Sequence, residues 1–123
     1  MKPSTLLLAI AFLCVFAACL SPKEGPVPDH LVGTWRSTAD KYSDSFLTIT
    51  PSVITFGKEG ETANAFPIRG VRNHSEDSGQ RYEIFYFTPE GDKQIFSFYY
   101  DGFQGGRIRL VNQKAIVWTK QSS

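Results

Sequence analysis

Two stretches of alternating side chains, Arg81 to Phe87 and Gln94 to Tyr100, flank the turn Thr88-Pro89-Glu90-Gly91-Asp92-Lys93. Alternation with a period of two marks a strand, and aromatic and β-branched residues suit a pleated surface better than a helix. Pro89 at the first central turn position and Gly91 two residues later predict a type I turn that ends in a left-handed residue. A three-residue loop then gathers Tyr82, Ile84, Tyr86, Phe96, Phe98 and Tyr100 on one face. The opposite face carries Glu83, Phe85, Phe87, Ile95, Ser97 and Tyr99 and is also strongly apolar, so it is expected to be covered or to serve as a contact surface.

The rest of the chain after residue 30 reads as more strands. Leu31 to Ser37 alternates, with Gly33, Trp35 and Ser37 on one side. Phe46 to Thr50 and Val53 to Phe56 flank Pro51-Ser52, and a two-residue loop pairs Ile49 with Ile54 and Leu47 with Phe56. Residues 57–65 are a polar loop. Phe66 to Arg72 is a strand in which Pro67, lacking an N–H, requires an edge or a bulge. Residues 73–79 read as a second loop and 101–106 as a glycine-rich link. Arg107 to Val111 and Ala115 to Lys120 form a last hairpin around residues 112–114, with Ile108, Leu110, Ile116 and Trp118 inward. No helix-period segment appears. The fold class is all-β: an antiparallel meander of about eight short strands forming a small barrel or sandwich. Ten Phe, five Tyr and two Trp supply bulky filling for such a core, and Trp35, Trp118 and Phe96 are assigned to it.

Ahead of this domain, Leu6 to Ala18 is an uncharged run of thirteen residues behind Lys2. At ~1.5 Å per residue it is too short for a bilayer core of ~30 Å, so it reads as the hydrophobic region of an export signal. It ends Phe16-Ala17-Ala18-Cys19, which resembles the bacterial lipobox (aliphatic, small, small, Cys), with Phe16 in the aliphatic place. The resemblance implies a lipoprotein signal peptide over residues 1–18 and a mature N-terminus at Cys19 that carries three acyl chains, palmitate among them. A single chain anchors only marginally, at ~0.8 kcal/mol per buried methylene. Leu20 after the cysteine, in place of Asp, implies delivery through the periplasm to the outer membrane by the same family's sorting rule. An ordinary signal cut near Ala18 and an uncleaved anchor are the alternatives. Residues 19–30 then form the lipidated cysteine and a Pro-rich tether, with a reach of ~30 Å at ~3.1 Å per residue. Residues 31–121 form the β domain.

Gly33-x-Trp35 opening an all-β meander resembles the first strand of the lipocalin group. In that family a basic side chain from the last strand packs over the first-strand Trp, and Lys120 stands in that place, although the family more often has Arg. The resemblance implies a lipocalin-like barrel closed by Gly33, Trp35 and Lys120, with a cation–π contact between the last two. It implies a fold and not an activity.

Loss of residues 1–18 removes Lys2 alone, leaving twelve cations against twelve acids. A domain without net charge or a single-sign run has no electrostatic footprint for nucleic acid. With Cys14 removed and Cys19 acylated, no disulfide is available. The two histidines, His30 and His74, are far apart in the chain, and no zinc or calcium spacing is present, so no metal and no cofactor is expected. His74-Ser75-Glu76-Asp77 contains the residue types of a triad, but adjacency in a chain is not convergence, and no enzyme is expected. Catalytic residues are none and ligand-binding residues are unassigned. The partners left are the membrane, through lipid on Cys19, and either an envelope protein or a small hydrophobic ligand. A structural or protein-interaction role is the leading reading and a lipocalin-like ligand binder the alternative. In an up-and-down meander the links 38–44, 57–65, 88–93 and 112–114 fall at one end, away from the tether, and form a mixed-charge rim suited to a protein partner.

Overall fold

The computed structural model describes residues 24–121. Eight antiparallel strands follow one another around a closed barrel: β1 (Gly33–Ser37), β2 (Ser45–Ile49), β3 (Val53–Lys58), β4 (Asn64–Glu76), β5 (Gly79–Phe87), β6 (Lys93–Asp101), β7 (Arg107–Leu110) and β8 (Gln113–Lys120). Each strand pairs with the next, and β8 returns to β1 with Trp35 opposite Lys120. The β8–β1 pairing removes the free edges that the first and last strands would otherwise present, and free edges template unwanted pairing. The only helical elements among the described residues are short 3₁₀ turns, Asp29–Leu31, Asp40–Tyr42 and Phe103–Gly105.

The alternation explains the registers. Ile49 pairs with Ile54 and Leu47 with Phe56 across Pro51-Ser52. Thr50 fastens that turn: its hydroxyl accepts the N–H of Val53 at 2.9 Å, and its own N–H reaches the Val53 carbonyl at 2.9 Å. Between β5 and β6, Tyr82 pairs with Phe98 and Ile84 with Phe96. The three residues Pro89-Glu90-Gly91 are closed by a bond from the Thr88 N–H to the Asp92 carbonyl at 2.9 Å, with Gly91 at φ +89°. The inward face of every strand supplies the core, which includes Leu31, Trp35, Ile49, Ile54, Ile84, Phe98 and Ile108, all fully buried. Burying side chains of this size contributes about 1.5–3 kcal/mol each.

Three expectations need correction. Residues 73–79 are not a loop: β4 runs through Glu76, turns over Asp77-Ser78 and pairs straight back, His74 with Arg81 and Glu76 with Gly79. Gly79 at φ +123° supplies a backbone conformation that an L side chain resists. The last hairpin has only Val111 and Asn112 between its strands, and its register shifts from Arg109↔Val117 to Leu110↔Gln113, so Lys114, Ala115 and Ile116 bulge from the ladder. Finally, residues 24–30 do not stand off as a tether. Gly25 forms a bridge to Val71, its N–H and carbonyl bonding at 2.8 and 2.9 Å, and Val27 is buried. They lie along β4 where it outruns β3: β3 begins at Val53, opposite Pro67, and the β4–β5 register shifts between Ile68 and Gly70.

The doubly apolar hairpin is resolved on the same wall. Outward-facing Phe85 is buried, at 3 % exposure, beneath the cations of Arg72 and Lys93, 5.0 and 4.6 Å from its ring centroid. Glu24 lies over Gly70, where a Cβ would come within 2.9 Å of its own Cβ, and pairs with Arg69 and Lys93 at 3.4 Å each. Ile95, the cross-strand neighbour of Phe85, remains 52 % exposed.

Candidate functional site

The two ends of the barrel differ. At the end where β1 begins, the chain plugs its own barrel. Leu31 is fully buried, and its carbonyl accepts the Trp35 indole N–H at 3.1 Å. Lys120 Nζ stands 5.2 Å from the Trp35 ring centroid and donates to the His30 carbonyl at 2.6 Å. Gly33, at φ +147°, leaves room for the Lys120 stem, which a Cβ there would meet at 3.1 Å. Gly33, Trp35 and Lys120 are thus brought together, whereas Cys19 lies outside the described residues. His30 covers this end: its Nε2 shares a hydrogen bond with the Tyr82 hydroxyl at 2.9 Å, and its ring lies 4.7 Å from that of Tyr100. Burial, and to a lesser extent Tyr100 nearby, pushes the Tyr82 phenol above its ordinary pKa. Asp101 fixes the last link at this end by accepting the Phe103 N–H at 2.9 Å and Arg107 Nε at 3.0 Å. The Arg107 hydrogen bond holds its carboxyl below the usual range.

The opposite end is open. Phe56, Phe66, Tyr86 and Phe96 meet there, with ring centroids 5.1 Å apart for Phe66–Tyr86 and 5.2 Å for Phe56–Phe96. Beside them is a hollow of about 220 Å³ lined by Leu47, Phe56, Phe96, Leu110 and Trp118 together with Ser45, Phe46 and Gly57. The hollow exists because β7 is only four residues long and β8 bulges where the wall would otherwise be completed. The indole N–H of Trp118 is buried without an acceptor. Burial also pushes the Tyr86 phenol above its ordinary pKa. Around the mouth, Arg36 pairs with Glu59, and Lys58 lies 4.0 Å from Asp44.

Of the three aromatics assigned to the core, Trp35 is there, while Phe96 and Trp118 line the hollow. Phe56 and Leu110, which complete it, are legible as inward residues from the strand alternation, but not as residues at the mouth. His74 and Ser75 sit side by side on β4 and so point to opposite faces. His74 Nε2 is 2.7 Å from Glu83 Oε1, and the Ser75 hydroxyl accepts from Gln80. Among the described residues, no three His, Cys, Asp or Glu side chains gather as a metal site.

No protein family, no curated protein and no solved structure matches the chain.

Proposed function

We propose that this chain is a lipid-anchored protein of the bacterial cell envelope, held at the outer membrane through Cys19, whose lipocalin-like barrel takes an apolar side chain of a protein partner into its open end. The observation that carries this reading is the size of the hollow. At about 220 Å³ it lies below the ~300 Å³ at which ligand pockets begin. It suits one buried anchor residue of the kind that dominates protein interfaces. The paired charges at the rim favour a polar surround to such a contact. The anchor sits close by: from Cys19 to Glu24 the chain spans at most ~18 Å at ~3.6 Å per residue. Glu24 lies on the outer β4–β5 wall, so this reading puts that wall within the same reach of the bilayer.

A second reading, a small hydrophobic ligand, is favoured by one observation: the unpaired Trp118 indole N–H would bond a ligand that carries an acceptor. A photo-crosslinking residue at position 45, beside the mouth, is expected to yield a discrete protein adduct in intact envelopes, and the same residue at 75 is not. Native mass measurement before and after delipidation separates the alternatives. A loss of small-molecule mass with no adduct supports the ligand reading, and neither adduct nor mass loss refutes both.

A further inference from the structure

The barrel wall is incomplete along half of one strand. β6 runs from Lys93 to Asp101, but β7 pairs with it only from Phe98↔Leu110 to Asp101↔Arg107. Beyond that, the Val111 N–H reaches the Ser97 carbonyl at 3.4 Å. No strand stands opposite Lys93–Phe96 on this side among the described residues. That one bond fixes the direction of the rest. In an antiparallel ladder a residue turns its N–H and carbonyl to the same neighbour, and successive residues alternate. Ser97, Ile95 and Lys93 therefore present their backbone groups to the gap, while Gln94 and Phe96 bond to β5. A groove of about 390 Å³ runs along this edge, lined by Ile95, Phe96, Ser97, Leu110, Val111 and Gln113 among others. It shares Phe96 and Leu110 with the apolar hollow at the mouth.

We infer that this edge is a strand-addition site, which takes an extended segment of the protein partner as an extra strand beside β6. The inference rests on the protein-partner reading and names the form that partner takes. A segment laid antiparallel along Lys93–Ser97 meets the Ser97 N–H, the Ile95 N–H and carbonyl and the Lys93 carbonyl. Its alternate side chains point inward, so the one opposite Phe96 enters the hollow and serves as the apolar anchor. The side chains of the other parity lie beside exposed Ile95. Charge selects among such segments. The groove lining carries no charge; Lys93 ahead of Ile95 is already paired with Glu24, and the cation at the other side is Lys114 after Gln113, with its Nζ 5.1 Å from the Tyr99 ring centroid. The favoured occupant is an extended segment with an acidic flank and apolar residues at alternate positions.

The test uses the full lipidated chain in detergent and a displayed library of random linear peptides. Selected peptides are expected to alternate apolar residues and to carry an acidic flank, and when bound they slow hydrogen exchange at the Ile95 and Ser97 amides. Ile95→Pro, which deletes an N–H that faces the gap and not β5, is expected to weaken binding roughly tenfold. The charge reversal Lys114→Glu, away from the Glu24–Lys93 pair and from buried Phe85, is expected to weaken acidic peptides severalfold at low salt, with the loss shrinking as salt rises. Peptides that bind at the mouth while Ile95 and Ser97 exchange as in the free chain overturn strand addition and leave the side-chain pocket standing. Slow exchange at those amides in a peptide-free dimer overturns it in favour of a second copy of the chain. A library that yields no binder refutes strand addition and the pocket together.

Discussion

Replacing Trp35 tests whether the plugged end is what holds the barrel shut. Trp35 is fully buried, sits on β1 opposite Lys120 of β8, and donates its indole N–H to the Leu31 carbonyl. Trp35→Ala removes the largest buried side chain of the described residues together with that hydrogen bond. Large-to-small changes of this kind cost about 3–5 kcal/mol from lost transfer energy and the cavity that remains. The Leu31 carbonyl, left without its donor, adds about 1–3 kcal/mol unless water reaches it. For a domain of this size each kcal/mol lowers the melting midpoint by roughly 4–8 °C, so a drop of about 12 °C or more is expected. The assay is urea and thermal unfolding followed by circular dichroism, with Trp118 fluorescence as an independent probe of the mouth. Trp35→Phe, which keeps most of the ring and deletes only the donor, should fall between the two proteins. A Trp35→Ala change below about 1 kcal/mol, the size of a surface substitution, would refute the reasoning and place closure elsewhere.

The other expectations are more local. Gly33→Ala is expected to destabilise by about 1–3 kcal/mol, because φ +147° and the Lys120 stem at 3.1 Å both resist a Cβ, and denaturant midpoints measure it. Cys19→Ser should abolish incorporation of labelled fatty acid, and retained label would remove the anchor. Asp101, whose carboxyl is held low chiefly by the Arg107 hydrogen bond, contributes stability above the ordinary aspartate range that is lost as pH falls through its folded pKa. Asp101→Asn should therefore flatten the acid limb of a stability–pH profile, and an unchanged limb counts against the pairing.

Much of the fold is legible because local chemistry and global register agree. The Leu47/Phe56 and Ile49/Ile54 pairs follow from β-branched alternation around a turn that Thr50 caps, and Pro89 and Gly91 specify theirs. Where sequence and structure differ, the physics is identifiable. Asn73 to Glu76 is polar because β4 there has only β5 beside it and both faces meet water. Polarity reports exposure, which a strand can have as readily as a loop. The bulge at Lys114–Ile116 has no signature, since those side chains alternate as well in one register as in another. The mouth is half legible. Parity shows that Phe56, Tyr86 and Phe96 point inward, but whether an inward aromatic is core filling or pocket wall depends on how far the neighbouring strands extend. The four-residue length of β7 is set by that unsigned bulge.

The docking of residues 24–31 also bears on mechanics. A pull on the chain ahead of Glu24 does not load the β1–β8 seam at once. Tension first falls on the Arg69 and Lys93 ion pairs of Glu24, which are exposed and weak. It then reaches the two bonds that join Gly25 to Val71 in a single bridge. Only after Val27 is stripped from the wall does force arrive at Leu31, and there it is shared, because the Leu31 carbonyl is tied to Trp35 on β1 and the His30 carbonyl to Lys120 on β8. The leading segment thus yields in stages, as slack that is drawn out before the seam is strained, and it leaves intact the eight-stranded ring that shapes the mouth.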